Sequence, residues 1–339
     1  MPDRSQFTAA MERHQVWIYL GAALAGLACG QVMPFIGAFS ASAVWAALVL
    51  LMYGTFTQIS SSALRSAWSD WRFLTAALVG NFVVVPLVLG ALLPWLPENP
   101  AVRLGIIITL LAPCTDWFIT FTHLGKGDAS RAASLAPLSL ILQIPTVPLY
   151  WALLSPAGSG PAWGPTEILP AVGVIVVPLA IAWLTEAWLR SRDAHSNDPE
   201  DPRSDGTAES RWRSWWSRIP VPALGAVIFL VMAGHVNDVA GAVDVIPSAG
   251  AVYVGYLAIA LVIAKGLSLV FRLSPRGSRT LAFSLGTRNS FVVLPLALAL
   301  PAGWELSGVV VVLQSLVELL GMILYLWIVP KLLFRDRPV

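Results

Sequence analysis

Ten long apolar stretches dominate this sequence of 339 residues. A helix needs about 20 mostly apolar residues to cross the roughly 30 Å hydrocarbon core of a bilayer. Only 12% of the residues are charged, which is expected where most of the surface faces lipid. The sequence therefore predicts an all-α integral membrane protein with ten transmembrane helices. The stretches are 16–37, 41–58, 72–94, 102–122, 129–154, 167–189, 219–236, 249–271, 280–300 and 304–329.

The basic residues indicate how these helices are oriented. All 21 Lys and Arg residues except Arg103, Lys265 and Arg288 lie at the termini, in the even-numbered connections or at the span ends that border them. Basic residues accumulate on the cytoplasmic side of membrane proteins. We therefore expect a multi-pass protein of the plasma (inner) membrane, embedded in lipid, with both termini in the cytoplasm.

The connection 190–218 is long and polar, and it divides the predicted spans five and five. A half with an odd number of spans can be repeated only upside down, which is the plan of many secondary transporters. We expect a first five-helix repeat at 1–155, a cytoplasmic linker at 190–218, and a second five-helix repeat at 156–339 that includes the linker. The two halves share no clear residue pattern, so this symmetry is inferred from topology.

The fourth and ninth spans, which correspond in the two halves, are both interrupted by polar residues. Pro113 removes a backbone donor from the fourth span, and Gly286 weakens the ninth. Non-helical backbone at membrane depth is tolerated only where it is buried in protein or lines a watery cavity. Paired breaks of this kind predict a transport site where the two broken helices cross at mid-membrane.

Short motifs along the chain resemble those of a known family. The fourth span contains Ala112-Pro113-Cys114-Thr115, and the next connection contains Lys126-Gly127-Asp128; the other motifs are Leu51-Met52-Tyr53, Leu142-Gln143-Ile144 and Leu316-Val317-Glu318. This set resembles the arsenite permease family of the bile acid/arsenite/riboflavin transporter superfamily. The resemblance implies ten helices with a crossed broken pair. It also implies export of arsenite, sometimes antimonite, through a cysteine in the fourth span, which is Cys114 here.

Two positions depart from the pattern of that family. Its ninth span places a glutamate a few residues after an asparagine, whereas Asn289 is followed here by Ser290, Phe291 and Val292. Asp116, in the fourth-span break, is the second departure, and it could replace the missing carboxylate. These departures leave the coupling open between proton exchange, sodium coupling and uniport.

The candidate residues suit a thiophilic metalloid. Arsenite near neutral pH is mostly an uncharged trihydroxide, and a soft thiolate is its natural ligand. Asp116 and Arg288 are expected to couple or gate transport, although the two could instead pair as a structural lock. We find no nucleotide-binding loop and no metal-ligand spacing, and we expect no cofactor. The expected substrate contacts are Cys114, Thr115, Asn289, Ser290 and Glu318, with Pro113 and Gly286 as the helix breaks.

Two other functions deserve comparison. A sodium-coupled organic anion symporter of the bile acid branch would use Asn289 and Ser290 as oxygen ligands, whereas Cys114 and Glu318 favour arsenite. The segment Gly125–Asp128 superficially matches the motif of intramembrane aspartyl proteases, but that chemistry needs two carboxylates converging at depth. A net charge of +2 gives no indication of nucleic-acid binding. We therefore expect an arsenite-exporting secondary transporter and not an enzyme, with antimonite left open.

Overall fold

The chain is almost entirely helical. The computed structural model describes residues 4–33, 35–58, 70–115, 117–154, 165–196, 208–241 and 245–335. Within these ranges every regular element is a helix, and extended pairing is confined to one isolated antiparallel bridge between Pro113 and Arg288. The prediction of an all-helical protein is confirmed.

The helices vary widely in length, and several are interrupted. In chain order they are α1 (Arg4–Val32), α2 (Phe35–Phe56), α3 (Trp71–Val79), α4 (Val85–Leu92), α5 (Pro100–Leu111), α6 (Phe118–Leu124), α7 (Ala129–Leu154), α8 (Pro165–Ser196), α9 (Ala208–Trp216), α10 (Pro220–Gly234), α11 (Val236–Gly241), α12 (Ile246–Val270), α13 (Pro275–Gly286), α14 (Ser290–Leu298) and α15 (Leu306–Ile328). The π-helical segment Gly80–Val84 joins α3 to α4, and a second one, Val329–Leu333, extends α15.

Seven helical stretches of the described residues are long and apolar enough to cross a membrane. They overlap the first, third, fifth to eighth and tenth predicted spans. Two shorter apolar helices, Ser42–Phe56 and Pro100–Leu111, fall in the second and fourth predicted spans. The ninth predicted span corresponds to α13 and α14, which are separated by a break. The chain is thus a multi-pass membrane protein, and the count of ten spans stays a prediction.

Residues Met1–Ser60 and Pro165–Val236 form one compact unit, built from α1, α2, α8, α9 and α10. Its closest packing is between α1 and α10. A Cβ atom on Gly26 would lie 2.5 Å from the carbonyl oxygen of Phe229, and one on Gly30 would lie 2.5 Å from that of Ala233. Small residues four apart let two membrane helices approach backbone to backbone.

An ion-pair cluster ties α9 to α8 within this unit. Helix α9 lies in the segment that was predicted as a linker. The buried Glu186 carboxylate pairs with Arg213 at 2.8 Å and also with Arg190. Glu209 pairs with the same two arginines, at 3.0 Å each. Arg213 also donates to the carbonyl oxygen of Thr57 at 2.7 Å, which holds α9 against the end of α2.

Residues Ser61–Gly164 and Asn237–Val339 form the second compact unit. Here α5 packs closely against α15. A Cβ atom on Gly105 would lie only 2.9 Å from the carbonyl oxygen of Ser307. The Ser307 hydroxyl donates to the carbonyl oxygen of Ala101 at 2.7 Å. Each compact unit takes helices from both predicted five-helix halves, so the halves are a different division of the chain and stay a prediction.

Candidate functional site

Two helices of the second unit end inside it. Helix α5 stops at Leu111, and Ala112 has extended backbone angles, with φ −94° and ψ 110°. The chain then passes through Pro113, which cannot donate a backbone hydrogen bond. Helix α13 stops at Gly286, and Thr287 is likewise extended, with φ −105° and ψ 142°. The two breaks leave backbone polar groups without partners inside their own helices.

The two breaks meet and satisfy each other. The N–H of Asn289 donates to the carbonyl oxygen of Ala112 at 2.8 Å, and the N–H of Cys114 donates to that of Thr287 at 3.4 Å. Buried backbone groups without partners are costly, so each break stabilises the other. The contact brings Cys114 of the fourth predicted span next to Asn289 of the ninth.

Gly286 lies where α13 passes closest to α15. A Cβ atom at this position would lie 2.5 Å from Cε1 and 2.9 Å from the hydroxyl oxygen of Tyr325. The absence of a side chain therefore lets the break sit directly against α15.

Polar side chains surround the Cys114 break. Cys114 forms no disulfide and is buried, and Thr115 follows it, also buried. The Asn289 amide donates to the hydroxyl oxygen of Thr115 at 3.0 Å. Its side-chain oxygen accepts from the N–H of Val292 at 3.2 Å, which caps the start of α14. Gln143, on α7, places its side-chain oxygen 3.5 Å from the same Asn289 amide.

The Gln143 amide nitrogen adds an open donor to this group. It is buried and has no hydrogen-bond partner among the described residues. A buried amide donor without a partner costs free energy unless a ligand or a water completes it. The site thus offers a thiol, a hydroxyl and an open amide donor in one buried region.

Glu318 connects the ninth-span break to α15. Its side chain is 1% exposed. One carboxylate oxygen accepts the backbone N–H of Arg288 at 2.7 Å and the side-chain amide of Gln314 at 2.5 Å. The Gln314 oxygen accepts from the hydroxyl of Ser290. Ser290 and Glu318 therefore belong to one network, which Gln314 completes.

Arg288 projects its guanidinium among helix ends, and the residue is completely buried. One terminal nitrogen donates to the side-chain oxygen of Asn81 at 2.8 Å, to the carbonyl oxygen of Leu285 at 2.7 Å and to that of Ser284 at 3.3 Å. The other donates to the carbonyl oxygen of Leu110 at 3.3 Å. All four acceptors are uncharged oxygens.

The predicted relation between Arg288 and Asp116 stays a prediction, because Asp116 lies outside the described residues. Within the described part of the chain, no carboxylate forms an ion pair with the Arg288 guanidinium. The coupling role and the structural-lock role both remain proposals for this pair.

Three residues that surround the Arg288 side chain were not singled out from the sequence. They are Asn81, which also donates to the Ser284 hydroxyl at 3.1 Å, Ser284 itself, and Tyr256, whose ring centre lies 5.2 Å from the guanidinium carbon. Asn81 had a usable signal, since it is an amide inside an apolar span and such polar residues are seldom placed there without a partner. Ser284 and Tyr256 carry no comparable signal.

Known proteins match much of this chain. Residues 45–242 match the sequence profile of the Sodium Bile acid symporter family, and this range includes the Cys114 break but not the Arg288 break. The arsenical-resistance protein Acr3 of Corynebacterium glutamicum is 26% identical over 133 residues, which are 38% of this chain and 34% of that relative. The aligned part thus spans about a third of the relative's length. Because the family profile covers more than half of its 339 residues, this chain belongs to the Sodium Bile acid symporter family of membrane transporters.

Proposed function

We propose that this chain is a secondary transporter that exports arsenite from the cytoplasm across the plasma membrane. The observation that carries the proposal is the position of Cys114. Its thiol is buried at a helix break that is paired with a second break carrying Asn289. The likeness to an arsenical-resistance protein supports the same substrate class.

The chemistry of the site supports a neutral metalloid hydroxide as cargo. Sulfur is the soft ligand that trivalent arsenic prefers. The hydroxyl of Thr115 and the open amide donor of Gln143 suit the arsenic hydroxyl groups, which both donate and accept hydrogen bonds. One thiol with hydroxyl partners binds and releases, as a carrier requires. Asn289 orients Thr115, while Ser290 and Glu318 belong to the hydrogen-bond network at the adjoining break.

The proposed architecture has ten transmembrane helices in an inverted five-plus-five repeat. The broken fourth and ninth helices cross at mid-membrane, and both termini lie in the cytoplasm. The facing breaks of α5 and α13 and the distribution of basic residues support this arrangement. In this proposal the chain is a carrier and not an enzyme, and export is driven by protons exchanged through Asp116.

Everted membrane vesicles test the proposal directly. Vesicles from cells that lack their own arsenite exporters, with and without this chain, would be given arsenite under an imposed pH gradient, a sodium gradient or neither. Accumulation that depends on the chain and on the pH gradient is the expected result. Equal arsenite uptake with and without the chain, at verified expression, would reject the proposal.

A sodium-coupled organic anion symporter is the second candidate, and the family name favours it. In this function Asn289 and Ser290 would contribute oxygen ligands to sodium. The same vesicles separate the two functions, because a symporter of this kind would accumulate taurocholate with sodium and ignore arsenite. A thiol reagent should stop arsenite transport.

A further inference from the structure

The Arg288 guanidinium is surrounded by a cage of oxygens. The proposed proton exchange through Asp116 gives these oxygens no role. The cage consists of three backbone carbonyls and one side-chain amide oxygen, at 2.7–3.3 Å from the terminal nitrogens. No group in it carries a formal charge. Carbonyl and amide oxygens of this kind are the ligands that hard cations select in proteins.

The cage lies where two helix ends converge. Leu110 is in the last turn of α5, while Ser284 and Leu285 are in the last turn of α13. A helix carries a partial charge of about −0.5 at its C-terminus, concentrated on the last carbonyls. Two such ends place partial negative charge beside the guanidinium, which favours a cation at this position. Both helix ends are buried. While Arg288 supplies a positive charge there, no cation from solvent is needed beside these carbonyls.

The aromatic ring of Tyr256 completes the cage. Its centre lies 5.2 Å from the guanidinium carbon, and its hydroxyl donates to the carbonyl oxygen of Leu285 at 2.8 Å. An aromatic ring at this distance attracts a cation. The tyrosine therefore both contacts the cation and orients one of its oxygen ligands.

We propose that Arg288 is a tethered cation, which permanently occupies a site that would otherwise bind a mobile monovalent cation. Arg288 thereby makes transport by this chain independent of sodium, although the chain belongs to a family named for sodium symport. For transport the inference rests on the proposed function and excludes sodium as its coupling ion. For stability it does not depend on any substrate.

The first experiment measures the thermal unfolding of the purified full-length protein in detergent micelles, in sodium chloride and in choline chloride of equal ionic strength. The wild type should unfold at the same temperature in both salts. Arg288→Ala should unfold at a lower temperature and recover most of the loss with millimolar methylguanidinium, which should leave the wild type unchanged. A saturable stabilisation of the wild type by sodium would overturn the inference, and so would an Arg288→Ala variant that is as stable as the wild type without added cation.

A matched pair covers the case in which Arg288→Ala does not fold. Lysine and methionine have similar lengths, and only lysine carries a charge. Arg288→Lys should unfold at a clearly higher temperature than Arg288→Met, because an ammonium group still balances the helix ends. Equal unfolding temperatures would show that shape and not charge matters at this position, against the inference.

A transport assay provides an independent test of the tethered cation. Arsenite accumulation by the wild type in everted vesicles should be unchanged when choline replaces sodium, and should fall at least tenfold in Arg288→Met. A strict sodium requirement would overturn the tethered cation and leave arsenite export standing. Absence of arsenite transport in any ionic condition would reject the proposed function, while the unfolding temperatures would still decide the role of Arg288.

Discussion

At the scale of single residues, the chain places its two cysteines in different surroundings. Cys114 is buried at a helix break beside hydrogen-bonding side chains, whereas Cys29 is half-buried within the continuous helix α1. A thiol within a regular apolar helix acts as a small hydrophobic side chain. Only the first position offers a soft ligand together with polar partners.

The cysteines give the first prediction. Cys114→Ser should abolish arsenite export, because it replaces the soft ligand with an oxygen of nearly the same volume. Cys29→Ser should leave most of the export intact. Efflux and arsenite resistance would be measured in cells without other exporters, at equal amounts of protein in the membrane. Wild-type resistance with Cys114→Ser would show that the thiol is not used.

Glu318 gives the second prediction. Glu318→Gln keeps the volume of the side chain but puts an amide group where a carboxyl oxygen accepts hydrogen bonds from the Arg288 N–H and the Gln314 amide. Leaving a buried donor without its acceptor costs about 1–3 kcal/mol, so the export rate should fall by about tenfold. The matched control is Glu305→Gln, at the start of the same helix, where the carboxylate accepts the exposed backbone N–H of Gly303. Equal losses in both variants would argue against a specific role for Glu318.

The sequence pointed to single positions more readily than to their partners. Pro113, Gly286 and Arg288 stand out locally, since each is unusual inside an apolar span. The cage around Arg288 joins residues that lie far apart in the chain, such as Asn81 and Leu285. Hydrophobic periodicity reports the faces of one helix and carries no information about which distant carbonyl a guanidinium will reach.

At the scale of helices, the apolar lengths predicted most elements but not their interruptions. The π-helical segment at Gly80–Val84 lies inside a span that reads as one continuous helix. Similarly, α8 continues to Ser196, into the segment predicted as a polar linker. In both cases local hydropathy does not report the change in helical structure.

The packing of α1 on α10 gives the third prediction. Gly30→Ala should destabilise the protein by about 1–3 kcal/mol, because the new methyl group meets backbone that cannot rotate away. Gly21→Ala, in the same helix, is the control, since nothing lies within 4 Å of its added Cβ. It should be neutral or slightly stabilising, because alanine favours helix over glycine by about 1 kcal/mol. The check is the apparent unfolding temperature in micelles, and a Gly30→Ala variant as stable as Gly21→Ala would contradict the close contact.

At the scale of the whole molecule, the distribution of charge determines the proposed orientation. The fourth prediction concerns the 190–218 linker and the 156–166 connection, which should face opposite sides of the membrane. Ser204→Cys and Ser159→Cys, each in a Cys29→Ser, Cys114→Ser background, would be treated with an impermeant thiol reagent in intact cells and in inside-out vesicles. Ser159→Cys should react in intact cells and Ser204→Cys in inside-out vesicles. Reaction of both from the outside would exclude the proposed topology.

The driving force also belongs to the whole molecule. A neutral arsenite molecule gains nothing from the membrane potential, so uphill export needs a coupled ion. If Arg288 already fills the cation cage, sodium has no role there, and a proton is the remaining candidate. Exchange for one inward proton would supply about 2.3 kcal/mol per 100 mV of potential, in addition to the pH gradient.

Asp116, the acidic residue of the fourth-span break, is the proposed carrier of that proton, and it gives the fifth prediction. Asp116→Asn cannot release or take up a proton, yet it keeps the size of the side chain and its ability to form hydrogen bonds. In everted vesicles with an imposed pH gradient, the variant should still exchange arsenite across the membrane but should no longer concentrate it. If Asp116 instead forms a structural lock with Arg288, Asp116→Asn should lower the unfolding temperature, and exchange and accumulation should fall together. Undiminished accumulation under the pH gradient would show that protons are coupled elsewhere.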